Sequence, residues 1–268
     1  MRKEDNAMIL TKHELRQGKL SLFIWTLSIG FLMAVCIFLF PEMKSQMEDV
    51  NKIFASMGSF TAAFGMDRLN FGTLTGFYSI ECGNILGLGG AFFAALTAAS
   101  ILAKEEKDRT AEFLLTHPVS RFRVVTEKLF AVLIQLIIMN SFILILSLGS
   151  IAATGEEIPF KEILLLHLAY FLLQTELASV AFGISAFLRR GSAGAALGLA
   201  ASMYFLNLIA NITEAAEFLR YLTPFAYCEG ADIIEKGALN PAYLIPGIIY
   251  AMLGIGAAYL KYCKKDIS

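Results

Sequence analysis

The sequence carries little charge for its length. Only 17% of its 268 residues are Asp, Glu, Lys or Arg, whereas an average soluble domain has about 25%. Hydrophobic residues make up 57% of the chain, and the mean hydropathy is +0.64. Polar side chains are therefore too few to cover a soluble globule of this size. With Phe abundant (22) and Trp nearly absent (1), the composition predicts an integral membrane protein.

Two further shortages exclude classes of function. The formal net charge is only −1, and no basic platform interleaved with aromatics occurs, so we exclude nucleic-acid binding. The chain also lacks any CxxC pair, which argues against a metal site or a disulfide framework. We interpret its four scattered cysteines as buried small residues: Cys36, Cys82, Cys228 and Cys263.

Catalytic and nucleotide-binding motifs are missing as well. No G-x-x-x-x-G-K-[ST] occurs, and Gly18-Lys19 is followed by Leu20 rather than by Ser or Thr. No H-E-x-x-H occurs, and the three histidines are dispersed. We therefore predict no catalytic residues, no metal site and no cofactor in this chain. If ATP drives its function, a separate subunit must hold the ATP and its magnesium.

Six apolar runs are long enough to cross a bilayer. The first, from Leu20 to Phe40, has no signal-peptide cleavage site after it, so we predict a retained helix. At 1.5 Å per residue, about 20 residues cross a hydrocarbon core of about 30 Å, and backbone groups in lipid must be paired within a helix. The fold class is all-α, with residues 1–268 as one transmembrane domain. The predicted spans are residues 20–40, 77–103, 129–153, 163–188, 193–212 and 243–262.

The distribution of basic residues predicts the orientation. Six spans place both termini on the same side of the membrane. Sixteen of the 22 Lys and Arg residues share that side, and the remaining six are Lys44, Lys52, Arg68, Lys161, Arg220 and Lys236. Because cytoplasmic segments carry the excess of Lys and Arg, both termini are expected in the cytoplasm.

Polar residues inside the spans are few. Glu81, Asn140 and Glu176 are candidates for a substrate pathway, since carboxylates at membrane depth are costly. The alternative is a structural role in hydrogen bonds between helices. Two small-residue pairs, Gly194-x-x-x-Gly198 and Gly254-x-x-x-Ala258, predict close helix contacts, either within one chain or between two.

The second and third spans are separated by a charged cytoplasmic stretch, EEKDRTAEFLLTHPVSRFRVVTEK. Thr110 can cap a short helix, and Pro118 stops it. The consecutive residues Phe113, Leu114 and Leu115 cannot all face the membrane from so short a helix. An exposed apolar patch rimmed by charge is typical of a docking site for a partner. The alternative is an interfacial helix that lies on lipid.

This stretch resembles the cytoplasmic signature of permease subunits in the second class of ABC exporters. In that family the segment is the coupling helix, which inserts into a groove of the ATP-binding subunit. The positions predicted to dock to the partner are Glu105, Glu106, Thr110, Glu112, Phe113, Leu114, Leu115, Pro118 and Arg121. Val119, Ser120 and Lys128 also match the family pattern. Arg109 and Glu127 depart from the pattern, because the family usually has glycine at both places.

The resemblance extends over the whole chain. KHELRQGKLSLFIW is similar to the amphipathic elbow helix that leads into the first span, and residues 62–81 and 221–237 are similar to the outer loops. The resemblance implies a permease of an ATP-driven exporter in a bacterial cell membrane. Its functional unit would contain two permease domains, either two copies of this chain or one with a sister permease, and two ATP-binding subunits. The substrate stays open.

Two other functions are compatible with the residues alone. One is a membrane scaffold or sensor without a transport cycle, in which the charged stretch would serve assembly. The other is a membrane-embedded enzyme, which the missing catalytic constellation disfavours.

Overall fold

The computed structural model describes residues 8–44, 46, 53, 57–104, 119–188 and 193–264. Every regular element in these ranges is helical, and six helices are long and apolar enough to cross a membrane. They are α1 (Ile9–Lys44), α2 (Leu74–Ala99), α3 (Arg121–Thr154), α4 (Phe160–Phe187), α5 (Ala193–Ile212) and α6 (Pro241–Lys264). The predicted all-α architecture with six spans is confirmed.

Successive long helices run in opposite directions. The end of the bundle where α1, α3 and α5 begin, and where α2, α4 and α6 end, is named the basic end. Its helix termini carry most of the described Lys and Arg residues. The other end, where α1 ends at Lys44 and α3 ends at Thr154, is named the opposite end.

The bounds of several helices differ from the apolar runs that predicted them, and α2 ends at Ala99 rather than at Ala103. The first helix begins at Ile9 rather than Leu20, so the predicted elbow segment and the first span form one continuous helix. Residues 9–19 include Lys, Leu, Arg and Gln, which are good helix formers, and the single Gly18 costs only about 1 kcal/mol of helix stability. Likewise, α3 begins at Arg121 rather than Leu129. Hydropathy marks the lipid-crossing part of a helix, not its ends.

Small residues bring α4 and α6 into close contact. A Cβ placed on Gly183 would lie 2.6 Å from the carbonyl oxygen of Gly254, and one placed on Gly254 would lie 2.5 Å from that of Ser179. Ala258, one turn further along α6, is fully buried. The predicted Gly254-x-x-x-Ala258 contact is therefore made within this chain.

Hydrogen bonds between helices satisfy polar groups inside the bundle. Asn140 of α3 donates to Oε1 of Gln174 on α4 at 2.6 Å, and the hydroxyl of Tyr78 on α2 lies 2.7 Å from Nε2 of His167 on α4. All four side chains are buried. These bonds tie α4 to two neighbours at membrane depth, where no water competes.

Short helical segments cover the opposite end. They span Ser59–Ala63, Met66–Arg68, Glu214–Tyr221, Pro224–Cys228 and Gly230–Lys236. The last one ends at Lys236 and is followed by Gly237, whose φ of 59° is left-handed, as is common after a helix. Cys82 and Cys228 are buried, but Cys263 is exposed near the end of α6. Cys36 is half-buried, so the interpretation of the cysteines as buried holds for two of the four, and it is wrong for Cys263, which lies on the outer face of the helix.

Candidate functional site

The charged stretch of the sequence is described only at its two ends. Lys104, just before it, is described, and so is its last part, from Val119 to Lys128. The predicted docking residues Glu105, Glu106, Thr110, Glu112, Phe113, Leu114, Leu115 and Pro118 lie outside the described residues. The structure instead shows what holds the residues on either side of this stretch.

A buried ion pair joins both flanks of the stretch to α1. Nζ of Lys128 donates to Oε1 of Glu14 at 2.9 Å and to the carbonyl oxygen of Ile101 at 2.6 Å. The other oxygen of Glu14 accepts from Nζ of Lys104 at 3.2 Å. Lys104 also donates to Gln17. Lys128 is fully buried and Glu14 is 6% exposed, so one carboxylate links the lysine just before the stretch to the last lysine of the stretch.

Glu127 caps the beginning of α1. Its Oε2 accepts from the backbone N–H of Leu10 at 2.8 Å and of Thr11 at 3.3 Å, in the first turn of the helix. Oε1 accepts from Nε of Arg123 at 2.6 Å. First-turn N–H groups have no partner within the helix, and the helix dipole favours a carboxylate there. Glu127 therefore has a structural role that glycine could not supply at this position.

Glu14, Lys104, Glu127 and Lys128 are named the loop-base cluster. They fix the beginning of α3 and the segment after α2 to the first two turns of α1. In the sequence, Lys128 matches the family signature and Glu127 departs from it, but the role of Glu14 was not predicted. A lone acid in the basic segment KHELRQGK is the signal that could have found it.

The predicted site residue Arg121 lies beside this cluster, facing α6. Its Nη1 donates to the carbonyl oxygen of Tyr262 at 3.5 Å. One turn along α3, the hydroxyls of Thr126 and Tyr259 lie 2.8 Å apart. The side chain of Ser120 accepts from the N–H of Arg123 and begins the helix as its N-cap. Residues 119–128 are thus fixed to α6 as well as to α1.

The three candidate pathway residues do not form one site, because no hydrogen bond joins any two of them within the described ranges. Asn140 takes part in the α3–α4 bond. Glu176 accepts from the hydroxyl of Tyr227 at 2.9 Å. Glu81 is half-buried in the π-helical turn Tyr78–Cys82, at the beginning of α2 near the opposite end.

A second polar cluster closes the opposite end. Nδ2 of Asn211 donates to Oε2 of Glu229 at 3.0 Å and to the carbonyl oxygen of Ala63 at 3.2 Å. Arg220 donates to Oδ1 of Asn211 at 3.2 Å. Burial raises the pKa of the Glu229 carboxyl above its ordinary value of 4.5, although the bond from Asn211 opposes this shift.

Six helices that are long and apolar enough to cross a membrane define a multi-pass membrane protein. The model of the family described as "ABC-2 family transporter protein" matches residues 8–267. The chain belongs to this family, and it is a membrane permease component of an ABC transporter. No curated protein matches the chain. The resemblance predicted from the charged stretch is confirmed at the level of the family.

Proposed function

We propose that the chain forms the translocation pathway of an ATP-driven exporter and is coupled to a separate ATP-binding subunit through residues 104–120. Export is the direction that the resemblance implies. Both termini and the basic end would face the cytoplasm of a bacterial cell, where the ATP-binding subunit would hold ATP and magnesium. This assignment explains why a strongly charged segment lies between two long apolar helices.

The loop-base cluster is the observation that carries this proposal. A segment that transmits force from a partner needs rigid attachment at both ends. Lys104 is the first residue of the segment and Lys128 lies shortly after its end. Both lysines form ion pairs with the carboxylate of Glu14. Closure of the ATP-binding subunits would push on residues 110–116, and the cluster would pass the displacement to α1, α2 and α3 as a rigid-body motion.

We further propose that two copies of this chain form the membrane part. α5 presents Gly194, Gly198 and Ser202 on an exposed face, and no atom lies within 4 Å of a Cβ placed on Gly198. Small residues on a membrane helix allow a second helix to approach closely. The Gly194-x-x-x-Gly198 pair, whose Gly198 has open space at its Cβ position among the described residues, would then serve the contact between copies.

Co-purification tests the coupling proposal. The tagged chain is expressed with its neighbouring genes and purified in mild detergent, and the preparation is assayed for a stoichiometric ATPase subunit. We expect that subunit to be lost, or its ATPase activity to become independent of the permease, in Phe113→Asp and Leu114→Asp. The matched variants Phe113→Leu and Leu114→Met keep the apolar surface and should retain it.

The same experiment separates the proposal from the scaffold function. A chain that purifies without any ATPase, and whose complexes do not depend on Phe113 or Leu114, would contradict coupling and favour a scaffold. Membrane insertion of the Asp variants is checked by their yield and by their elution in size-exclusion chromatography.

A further inference from the structure

A cavity of about 440 Å³ opens between α4, α5 and α6. Its walls are almost wholly apolar and include Val180, Met203, Leu206, Tyr250 and Leu253. Leu253 is 64% exposed on the outer surface of α6, so the cavity opens sideways towards lipid. Its volume lies within the range of about 300–1,000 Å³ that is usual for small-molecule sites.

One carboxylate, that of Glu176, lines this cavity. Glu176 lies near the middle of α4 and is 5% exposed. Tyr227 donates to its Oε2 at 2.9 Å, and that oxygen lies so close to α6 that a Cβ on Gly247 would come within 2.2 Å of it. The carboxylate is therefore held in place from two sides, at the depth of the bilayer core.

Glu176 has no ion-pair partner among the residues that the structure describes. A carboxylate at membrane depth is costly, and such residues face cavities, pair with cations or mark ligand paths. Interhelical bonding does not require a charge, because Asn140 and Gln174 bridge α3 and α4 with neutral amides. The position of Glu176 calls for a positive group that the described part of the chain does not supply.

We infer that this cavity binds a hydrophobic organic cation that enters from the membrane. The positive group would lie against Glu176, and the apolar body would pack against Val180, Met203, Leu206 and Leu253. The ring of Tyr250 adds a face that attracts cations. An anion of the same shape would meet the carboxylate and be rejected. Binding is a property of this chain alone, whereas the role of the cation as cargo rests on the proposed function.

Equilibrium binding of a matched pair of probes tests the inference. The purified chain is reconstituted in nanodiscs of zwitterionic lipid at pH 8, and radiolabelled tetraphenylphosphonium is compared with tetraphenylborate, which has the same shape and the opposite charge. We expect saturable binding of the phosphonium above the level of empty nanodiscs, at one site per chain, and no saturable binding of the borate.

Two variants locate the site. Glu176→Gln removes the charge and should weaken phosphonium binding at least tenfold. Leu206→Trp fills the cavity without touching the carboxylate, and it should weaken binding by a similar factor. Glu156→Gln, which changes a carboxylate of the α3–α4 connection at the opposite end, should leave binding unchanged. Thermal melting of each variant confirms that it is folded.

Equal binding of both probes, or unchanged phosphonium binding in Glu176→Gln, would overturn the inference and leave a lipid acyl chain as the occupant. If Glu176→Gln does not fold, phosphonium binding is measured in Leu206→Trp instead. Unchanged binding in that variant would also overturn the inference. These measurements contain no ATPase. Their failure would leave the coupling proposal intact, and a missing ATPase subunit would leave the binding result intact.

Discussion

Glu14 and Lys128 lie 114 residues apart in the chain and form a 2.9 Å ion pair at the basic end of the bundle. The lysine is fully buried, and its ammonium also donates to the carbonyl oxygen of Ile101. Removing one partner leaves the other charge buried and uncompensated, which is the costly way to break such a pair. This relationship makes the loop-base cluster directly testable.

We expect Glu14→Gln and Lys128→Met each to lower the free energy of unfolding by about 3–5 kcal/mol. The double variant should lose less than the sum of the two, because neither charge is left alone. Equilibrium unfolding in mixed detergent micelles measures all three. The exposed pair Lys44–Glu156 is the control, and Lys44→Met or Glu156→Gln should cost only about 0–1 kcal/mol. Additive losses at Glu14 and Lys128 would contradict the coupling between them.

The contact between α4 and α6 should not tolerate a methyl group at Gly254. A Cβ there would lie 2.5 Å from the backbone of Ser179, so Gly254→Ala must push the helices apart, at a cost of about 1–3 kcal/mol. Gly256 is two residues further along α6 and has no atom within 4 Å of its Cβ position. Gly256→Ala should therefore be neutral or stabilising by up to about 1 kcal/mol. Thermal unfolding in detergent compares the two, and equal melting temperatures would show that the helices do not pack this closely.

Glu229 should make stability depend on pH. Its folded-state pKa lies above the ordinary value of 4.5 because of burial, so the folded protein holds this proton more tightly than the unfolded chain. Stability relative to Glu229→Gln should be greatest below about pH 4.5 and should fall as the pH rises through the raised pKa. Melting temperatures between pH 4 and pH 8 measure the difference. Glu214→Gln, at an exposed position nearby, is the control, and an equal trend there would refute the assignment.

Association of two copies should depend on the exposed small residues of α5. Gly198→Leu adds bulk where nothing lies within 4 Å in the single chain, so the monomer should keep its stability while the proposed dimer weakens at least tenfold. Gly149 of α3 is also exposed with open space around its Cβ position, and Gly149→Leu is the matched control. Light scattering of the purified protein reports the mass. A dimer that survives Gly198→Leu but not Gly149→Leu would place the interface on α3.

The number and order of the helices could be predicted from the sequence, because apolar runs of about 20 residues leave the backbone only one structure in lipid. The residues at which the helices begin and end could not be predicted in the same way. Residues 9–19 are too polar for a span, yet they continue α1, since Glu127 satisfies N–H groups of its first turn. That partner lies 117 residues away along the chain, and a local pattern cannot reveal it.

The candidate site was predicted only in part. Arg121 and Lys128 could be named because they match the cytoplasmic signature that the charged stretch resembles. The pairing of Lys128 with Glu14 depends on how α1 and α3 cross, which no spacing encodes. Similarly, the sequence identified Glu176 as a carboxylate inside a span. The cavity that it lines depends on how α4, α5 and α6 pack, which the sequence pattern does not show.

The continuous helix α1 has a mechanical consequence. Its 36 residues make a rod of about 54 Å at 1.5 Å per residue, well beyond the hydrocarbon core of about 30 Å. Near its beginning, α1 is held by Glu127 and Lys128 of α3, and at its other end Lys44 forms an ion pair with Glu156 at 2.9 Å. Because α1 joins the two ends of the bundle as one continuous helix, a displacement of its first turn would be carried to the opposite end through the helix itself.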